Sequence, residues 1–129
     1  MASNQLYAIN SKHYSVRPEW VWSKKNKRLN KVASLRIILK CDEANIIQKS
    51  MATWLIEIGA MNRSANIYDM GGCWLIIENS TDTTVEVLLS SSGQDVLESL
   101  DYYVQWLYQS IIESNKNISV RWEELPLYS

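Results

Sequence analysis

Few side chains in this sequence have the types and spacing that catalysis or metal binding requires. His13 is the only histidine, and it lies in a polar segment without a nucleophile nearby. A general base needs a positioned partner, so we expect no catalytic role for His13. The two cysteines, Cys41 and Cys73, are too few and too far apart in sequence for a four-ligand zinc site. We expect both thiols to be reduced and packed.

The glycines and carboxylates near the predicted loops form no known binding motif. Gly71 and Gly72 are adjacent, but the spaced glycines of phosphate-binding loops are absent. Asp42, Glu43 and Asp69 could in principle form a metal site or an acid pair. Capping of a following helix explains the first two more simply. The sequence therefore predicts a protein that is not an enzyme and that has no cofactor and no metal site.

Charge is divided unevenly along the chain, although the formal net charge is only −1. Residues 1–40 contain nine of the 13 basic residues and one acid, a net charge of +8. Residues 41–129 contain the other four basic residues and 13 acids, a net charge of −9. A charge asymmetry of this size points to interaction with another macromolecule.

Hydrophobic patterns predict six elements after residue 33. In the segment 35–41 apolar residues occupy every second position, which is typical of a half-buried strand. Apolar residues at helical spacing follow in 43–61, where they include Ile47, Met51 and Trp54, and occur again in 93–114. The predicted order is strand 35–41, helix 43–61, loop 62–72, strands 73–78 and 83–89, helix 93–114 and strand 118–123.

This order of elements predicts the fold class. With 129 residues the chain has room for one domain. Two strand–helix units joined through a central hairpin predict an α+β protein, a ferredoxin-like βαββαβ two-layer sandwich with a four-stranded antiparallel sheet and two helices on one face. Residues 34–129 would form this domain, and residues 1–33 a basic extension of short strands and loop. The alternative is another α+β sandwich, in which the N-terminal segment adds a central strand.

The tryptophans of the N-terminal extension need a surface to cover. Trp20 and Trp22 share one side of an extended segment, and together they can bury about 300 to 500 Å². The sheet face away from the helices should expose Ile38, Leu88 and one of Trp74 or Leu75. We expect the two N-terminal tryptophans to pack on that face.

A nucleic-acid partner is one of two functions that the composition allows. Aromatic and basic side chains alternate in residues 12–31, as in proteins that bind single strands by base stacking and charge. The predicted central strands 35–41 and 83–89 contain no aromatic residue, which argues against base stacking on the sheet face. The candidate nucleic-acid-binding residues are Trp20, Trp22, Lys24, Lys25, Lys27, Arg28 and Lys31.

A protein partner is the function that the sequence favours. Tyr and Trp together make up 13 residues while Phe is absent, and these amphipathic aromatics are common at interaction hot spots. Carboxylates on strand edges and loops could complement a basic partner and speed its association. The candidate partner-binding residues are Asp69, Glu78, Asp82, Glu86, Glu123, Glu124 and Trp74.

A small, acidic protein of this kind resembles, in physical character, the bacterial immunity proteins that neutralise toxins, including those of contact-dependent growth inhibition. The targets of such proteins are often basic nucleases. The resemblance implies a binding module whose partner is a basic toxin domain. It leaves the oligomeric state open.

The sequence also bears on location. A bilayer span needs about 20 mostly apolar residues, and no stretch of this length is apolar. The first ten residues lack the charged start and apolar stretch of a secretory signal. We therefore expect a cytoplasmic protein with no membrane partner.

Overall fold

A computed structural model describes residues 6–23 and 30–128. This part of the chain forms seven strands, three helices and one π-helical turn. In chain order the elements are β1 (Tyr7–Asn10), α1 (Pro18–Val21), β2 (Val32–Cys41), α2 (Ile46–Glu57), β3 (Met61–Ser64), β4 (Ile67–Asp69), β5 (Trp74–Ser80), β6 (Thr84–Ser92), α3 (Val96–Leu107), a π-helical turn (Tyr108–Ile112) and β7 (Ile118–Glu124).

All seven strands belong to one antiparallel sheet in the order β1-β7-β2-β6-β5-β4-β3. The longest strands, β2 and β6, lie side by side near its centre, and Leu35 pairs with Leu89. On its other side β2 pairs with β7, where Ile37 lies opposite Trp122. The central strands are the ones with the clearest alternation of apolar and polar residues, because both of their edges are covered by neighbours and one face is buried.

The prediction of a four-stranded ferredoxin-like sandwich with two helices is wrong. The four predicted strands form as β2, β5, β6 and β7, but three further strands widen the sheet to seven. The segment predicted as loop 62–72 contains most of the hairpin β3–β4, which extends one edge. Residues 61–64 of this hairpin are polar apart from Met61 and exposed throughout. Such a strand is held by backbone pairing and has no hydrophobic pattern that could predict it.

The alternative topology is wrong as well, because the N-terminal strand lies at the edge of the sheet. β1 pairs with β7 alone, so that Ile9 lies opposite Trp122. The extension also forms a short helix, α1, that contacts α3. The N-terminal residues therefore extend the sheet and contact the helix layer of the same domain.

Both long helices are shorter than their patterns predicted, and α2 does not begin in the predicted way. α2 begins at Ile46 after Asn45, whose φ of 68° is left-handed, and no side chain caps this end. The predicted capping by Asp42 and Glu43 is therefore wrong. A backbone hydrogen bond holds the residue before the helix, since the Asn45 amide donates to the carbonyl of Asp82 at 2.7 Å.

The core lies between the sheet and the two long helices. Alternate residues of β2, including Leu35, Ile37 and Leu39, are completely buried on this face. Each such aliphatic side chain contributes about 1.5 to 3 kcal/mol when it is fully buried. The helical spacing correctly predicted the inward residues of α2 and α3. They are Ile47, Met51, Trp54 and Leu55 on α2, and Val96, Leu100, Tyr103, Val104 and Leu107 on α3.

The opposite face of the sheet, which we call the open face, carries the alternate residues. Ile38, Trp74 and Leu88 lie on it, as predicted, since side chains alternate between faces along each strand. The prediction that Trp20 and Trp22 cover this face is wrong. Trp20 packs against the core and its indole donates to the carbonyl of Leu125 at 2.8 Å, while Trp22 is 46% exposed.

The register also places the two thiols far apart. Lys40 pairs with Thr84 and Trp74 pairs with Ser90, so Cys41 and Cys73 lie at opposite ends of β6. At about 3.4 Å per residue the separation along the strand is roughly 27 Å, well beyond the ~7 Å between Cα atoms that a disulfide tolerates. Both thiols are free and buried.

We expect both thiols to resist chemical modification in the folded protein. Burial raises the pKa of the Cys73 thiol to about 12, although a hydrogen bond with Ser91 lowers it, so the reactive thiolate is scarce at neutral pH. Iodoacetamide should alkylate neither cysteine in native buffer and both in denaturant, as measured by intact mass. Oxidation that removes two hydrogens from a folded monomer would contradict the register of the sheet.

Candidate functional site

Most of the residues predicted to bind a partner lie on the open face. Glu123 pairs with Arg36, and Glu86 pairs with Ile38, so both carboxylates share the face of Ile38. Asp69 pairs with Trp74 on the same side. Glu78 reaches this face as well, because it is hydrogen-bonded to Arg36. Asp82 lies in the exposed turn between β5 and β6, and Glu124 lies on the other face.

Arginine side chains neutralise most of these carboxylates. Arg36 lies between two of them, at 3.0 Å from Glu78 and 3.2 Å from Glu123. Arg121 also contacts Glu123 at 2.7 Å. At the far edge Arg63 lies 3.2 Å from Asp69. Of the acids predicted to face a partner, Asp82 and Glu86 alone make no ion pair with any residue in the described ranges. The open face therefore carries less negative charge than the sequence suggested.

Glu124 is a structural residue. It is 4% exposed and points to the helix side of the sheet, where the Tyr14 hydroxyl donates to it at 2.6 Å. The Arg17 guanidinium donates to the same carboxylate at 2.8 and 3.0 Å and stacks on the ring of Tyr7. Burial, together with the bond to Glu124, raises the pKa of Tyr14 well above its ordinary value, so its hydroxyl stays a donor. This cluster fastens the N-terminal segment to β7.

Further contacts hold the same segment against α3 and β7. The backbone amide of Val16 donates to Asp101 at 3.1 Å, and the Tyr14 ring stacks on Trp122 at 5.1 Å between centroids. His13 accepts or donates one hydrogen bond with the Tyr108 hydroxyl, at 2.9 Å. His13 thus packs against Tyr108 of the helix layer and shares a hydrogen bond with it.

The candidate nucleic-acid-binding residues are placed in part. Trp20 is half-buried and bonded to the backbone of Leu125, whereas the side chain of Trp22 is exposed. Lys31 lies just before β2. The basic residues between them fall outside the described residues. They are Lys24, Lys25, Lys27 and Arg28.

A surface that the sequence analysis missed lies on the outer side of α3. Asp95 precedes the helix, and Glu98, Tyr102 and Trp106 follow at intervals of three and four residues, which places all four along one side. Trp106 is half-buried there, and the other three are exposed. The helical spacing that identified the buried side of α3 identifies this outer side too. The spacing of Asp95, Glu98, Tyr102 and Trp106 was therefore a sufficient signal in the sequence.

Two aromatic side chains form the centre of this stripe. Tyr102 is 59% exposed, and its ring meets that of Trp106 edge-on at 5.6 Å. The Trp106 indole donates to Glu57 on α2 at 3.0 Å, which ties the two helices together at the surface. A shallow cleft of about 410 Å³ is lined by Asp101, Tyr102, Gln105, Trp106 and Gln109.

The charge around these aromatics is negative and is not neutralised locally. The segment 96–112 contains no Lys or Arg. Within the described part of the chain, none of the four carboxylates at this surface makes an ion pair. We call this surface the acidic–aromatic ridge. Its residues are Glu57, Asp95, Glu98, Asp101, Tyr102 and Trp106.

No group of three or more His, Cys, Asp or Glu residues that could hold a metal ion occurs within residues 6–23 and 30–128. In the same ranges no helix has the length and apolar character needed to cross a membrane. Comparison of the chain with protein-family models, curated proteins and solved structures finds no match.

Removing Arg17 should destabilise the protein more than its exposure suggests. Arg17→Ala leaves the buried Glu124 carboxylate with only the Tyr14 hydroxyl, and breaking a buried ion pair in this way typically costs 3 to 5 kcal/mol. Because the Arg17 side chain is itself 33% exposed, we expect a loss of about 2 kcal/mol in the free energy of unfolding, measured with urea. Glu19→Ala is the control, since Glu19 is exposed and 3.8 Å from Arg17. Equal effects of the two substitutions would show that Glu124 does not depend on Arg17.

Glu123 should make the protein sensitive to acid. Burial alone would raise the pKa of Glu123, but hydrogen bonds from Arg121 and Arg36 outweigh it and hold the pKa below its ordinary value. The carboxylate therefore stabilises the fold at pH values above about 4.3, its ordinary pKa, and this contribution is lost as the pH falls through the folded value.

Urea unfolding from pH 7 down to pH 3 tests this effect. Glu123→Gln should flatten the loss of stability in acid, and Arg121→Gln should flatten it in the same direction. Some loss of stability in acid should remain, because a backbone hydrogen bond from Gly71 and the Arg63 side chain also lower the pKa of Asp69. If the free energy of unfolding of both variants falls with pH as it does in the parent protein, the ion pairs of Glu123 do not contribute to acid sensitivity.

Proposed function

We propose that this chain is a non-enzymatic protein-binding module of the immunity type, which neutralises a basic, nuclease-like toxin domain through its acidic–aromatic ridge. The observation that carries the proposal is the composition of that ridge. Four carboxylates without an ion pair in the described chain lie around the exposed ring of Tyr102 and the half-buried ring of Trp106, beside a helix that has no basic residue.

The ridge has the chemistry of a binding hot spot for a basic protein. Tyr and Trp supply large contact areas at a low cost in side-chain entropy, and they are enriched at hot spots. Tyr102 and Trp106 can also stack on the guanidinium groups of a partner, while Glu98 and Asp95 offer charge-assisted hydrogen bonds. Uncompensated negative charge also speeds the encounter with a basic surface.

The ridge is held in shape before any partner arrives. The bond from Trp106 to Glu57 fixes the indole against α2, and Tyr102 packs edge-on against both Tyr103 and Trp106. Asp101 is oriented by the bond from the Val16 amide. Because these side chains are already ordered, binding costs less conformational entropy than it would on a flexible surface. We place this activity in the cytoplasm, where the free thiols of Cys41 and Cys73 would stay reduced.

The second candidate function is nucleic-acid binding through residues 12–31. One observation favours it. Trp22 is 46% exposed and precedes the basic stretch, so its ring is accessible for base stacking. A filter-binding salt titration with a single-stranded oligonucleotide separates the two functions. Binding that persists at physiological salt and is lost when Lys24, Lys25, Lys27 and Arg28 become Ala would favour nucleic acid.

The ridge should be required for binding to the cognate toxin domain. The assay measures inhibition of purified basic nuclease toxin domains and the Kd of the complex by calorimetry, starting with a domain encoded beside the gene for this chain. Tyr102→Ala should raise the Kd by about 30-fold, the equivalent of the roughly 2 kcal/mol that defines a hot spot. Glu98→Lys should slow association, most strongly at low salt.

A control with the same change of charge separates the ridge from the net charge. Glu43→Lys reverses an exposed acid that precedes α2, outside the ridge. It should leave the Kd within about two-fold of the parent value, since isolated exposed charges contribute little. Equal effects of Glu98→Lys and Glu43→Lys would argue for a non-specific charge effect and against the ridge.

A further inference from the structure

The indole of Trp54 is the exception among the tryptophans that belong to the core or pack against it. Trp54 is 1% exposed, and its buried Nε1 has no hydrogen-bond acceptor among the described residues. Trp20, Trp106 and Trp122 each donate to an oxygen at 2.6 to 3.0 Å. A buried Trp N–H usually has an acceptor, because a donor removed from water without one is unfavourable. The Trp54 N–H therefore favours a ligand that carries an acceptor atom.

A cleft of about 220 Å³ lies between α2 and the π-helical turn, and Trp54 is the most buried residue of its lining. We call it the α2 cleft. Five of its residues share one side of α2, because they follow each other at helical spacing, and the sixth belongs to the π-helical turn, which packs against α2. Turns of this kind are frequent at functional sites. The lining residues are Lys49, Ser50, Thr53, Trp54, Glu57 and Ser110.

Hydrogen-bond donors dominate the lining of the α2 cleft. An ammonium group and three hydroxyl groups lie there, and none of these side chains forms a hydrogen bond or an ion pair with another residue in the described ranges. They belong to Lys49, Ser50, Thr53 and Ser110. With the Trp54 N–H they form a set of groups that can all donate to one acceptor. Since an ammonium and an indole N–H cannot accept a hydrogen bond, the ligand must supply the acceptor oxygens.

The acid of this lining limits the charge of the ligand. Glu57 already accepts a hydrogen bond from the Trp106 indole at 3.0 Å. It follows Lys49 by eight residues, which separates the two along the helix axis by roughly 12 Å at about 1.5 Å per residue. One end of the cleft is therefore positive and the other negative. A group with a single negative charge fits the Lys49 end, whereas Glu57 repels a phosphate dianion more strongly.

We propose that the α2 cleft binds a carboxylate group. The two oxygens of a carboxylate offer several acceptor sites and no donor, which matches the Trp54 N–H, the Lys49 ammonium and the hydroxyls beside them. The ligand is small, since the cleft lies below the roughly 300 to 1,000 Å³ of pockets for drug-sized molecules. This activity goes beyond the binding of a basic partner at the ridge. Each can fail without the other, because Lys49 and Trp54 do not belong to the ridge.

The indole N–H of Trp54 reports on such a ligand directly. In a nitrogen–proton correlation spectrum of the isotope-labelled full chain, its resonance should move downfield as sodium acetate is added, because a hydrogen bond deshields the proton. The shift should saturate with a Kd of about 1 to 10 mM, the affinity expected of so small a ligand. The Trp122 resonance should stay in place, since that indole already donates to the Ser11 carbonyl. Sodium chloride at the same ionic strength is the blank.

Two substitutions test the donors. Lys49→Gln should weaken acetate binding by at least about 10-fold, as expected for the loss of a hydrogen bond to a charged group. Ser110→Ala, which removes one neutral donor, should weaken it by about three-fold. Lys40→Gln is the matched control, because Lys40 is an exposed lysine of β2 on the open face of the sheet. It should keep the Kd within about two-fold of the parent value.

A carboxylate can come from a free small acid or from the end of a peptide chain, and a second probe separates these sources. N-acetylglycylglycine presents the same group on a short peptide. Tighter binding of this peptide than of acetate would support the end of a chain. Equal or weaker binding of the peptide would support a small acid.

Four outcomes would overturn the proposal. The first is a Trp54 resonance that acetate moves no further than sodium chloride does. The second is an Lys49→Gln variant that binds acetate like the parent, and the third is a Lys40→Gln variant that loses binding as Lys49→Gln does. The fourth is tighter binding of inorganic phosphate than of acetate, which would contradict the role of Glu57.

Discussion

The pairing of β2 between β6 and β7 decides which way most side chains of this protein face. Leu35, Ile37 and Leu39 are buried against the helices, and a shift of one residue would expose all three. The same register orients the open face, where Ile38 lies beside Leu88 and Glu86. Core, open face and the position of Glu124 are thus consequences of one alignment of strands, which is held by long-range hydrophobic burial.

Part of the charge asymmetry of the sequence is neutralised in the folded domain. Arg17 and Arg36 come from the basic part of the chain, and they neutralise Glu124, Glu123 and Glu78 of the acidic part. Basic and acidic segments that are separate in sequence therefore become partners across the sheet. Carboxylates without an ion pair are concentrated on the outer side of α3, where the segment 96–112 supplies no Lys or Arg. This explains why the candidate site lies on a helix and not on strand edges.

The two layers of the domain offer two surfaces of different chemistry. The helix layer presents carboxylates around Tyr102 and Trp106, which suits a basic partner. The open face of the sheet presents half-buried apolar side chains among charges that are mostly paired within the domain. The cluster of Tyr14, Arg17 and Glu124 connects the N-terminal segment to β7, while the Val16 amide connects it to α3.

Local patterns determined a good part of the fold. Apolar residues at every second position predicted β2, β6 and β7, and helical spacing predicted α2 and α3. Each pattern also predicted the buried side of its element, because it arises from the burial of one face. The hairpin β3–β4 could not be predicted from a pattern, since Asn62, Arg63 and Ser64 belong to a strand held by backbone pairing and their side chains are exposed. The sequence likewise contained all the acids and aromatics of the candidate site. Which acids are neutralised by arginine, and which stay free beside Tyr102, was decided by contacts between residues distant in the chain.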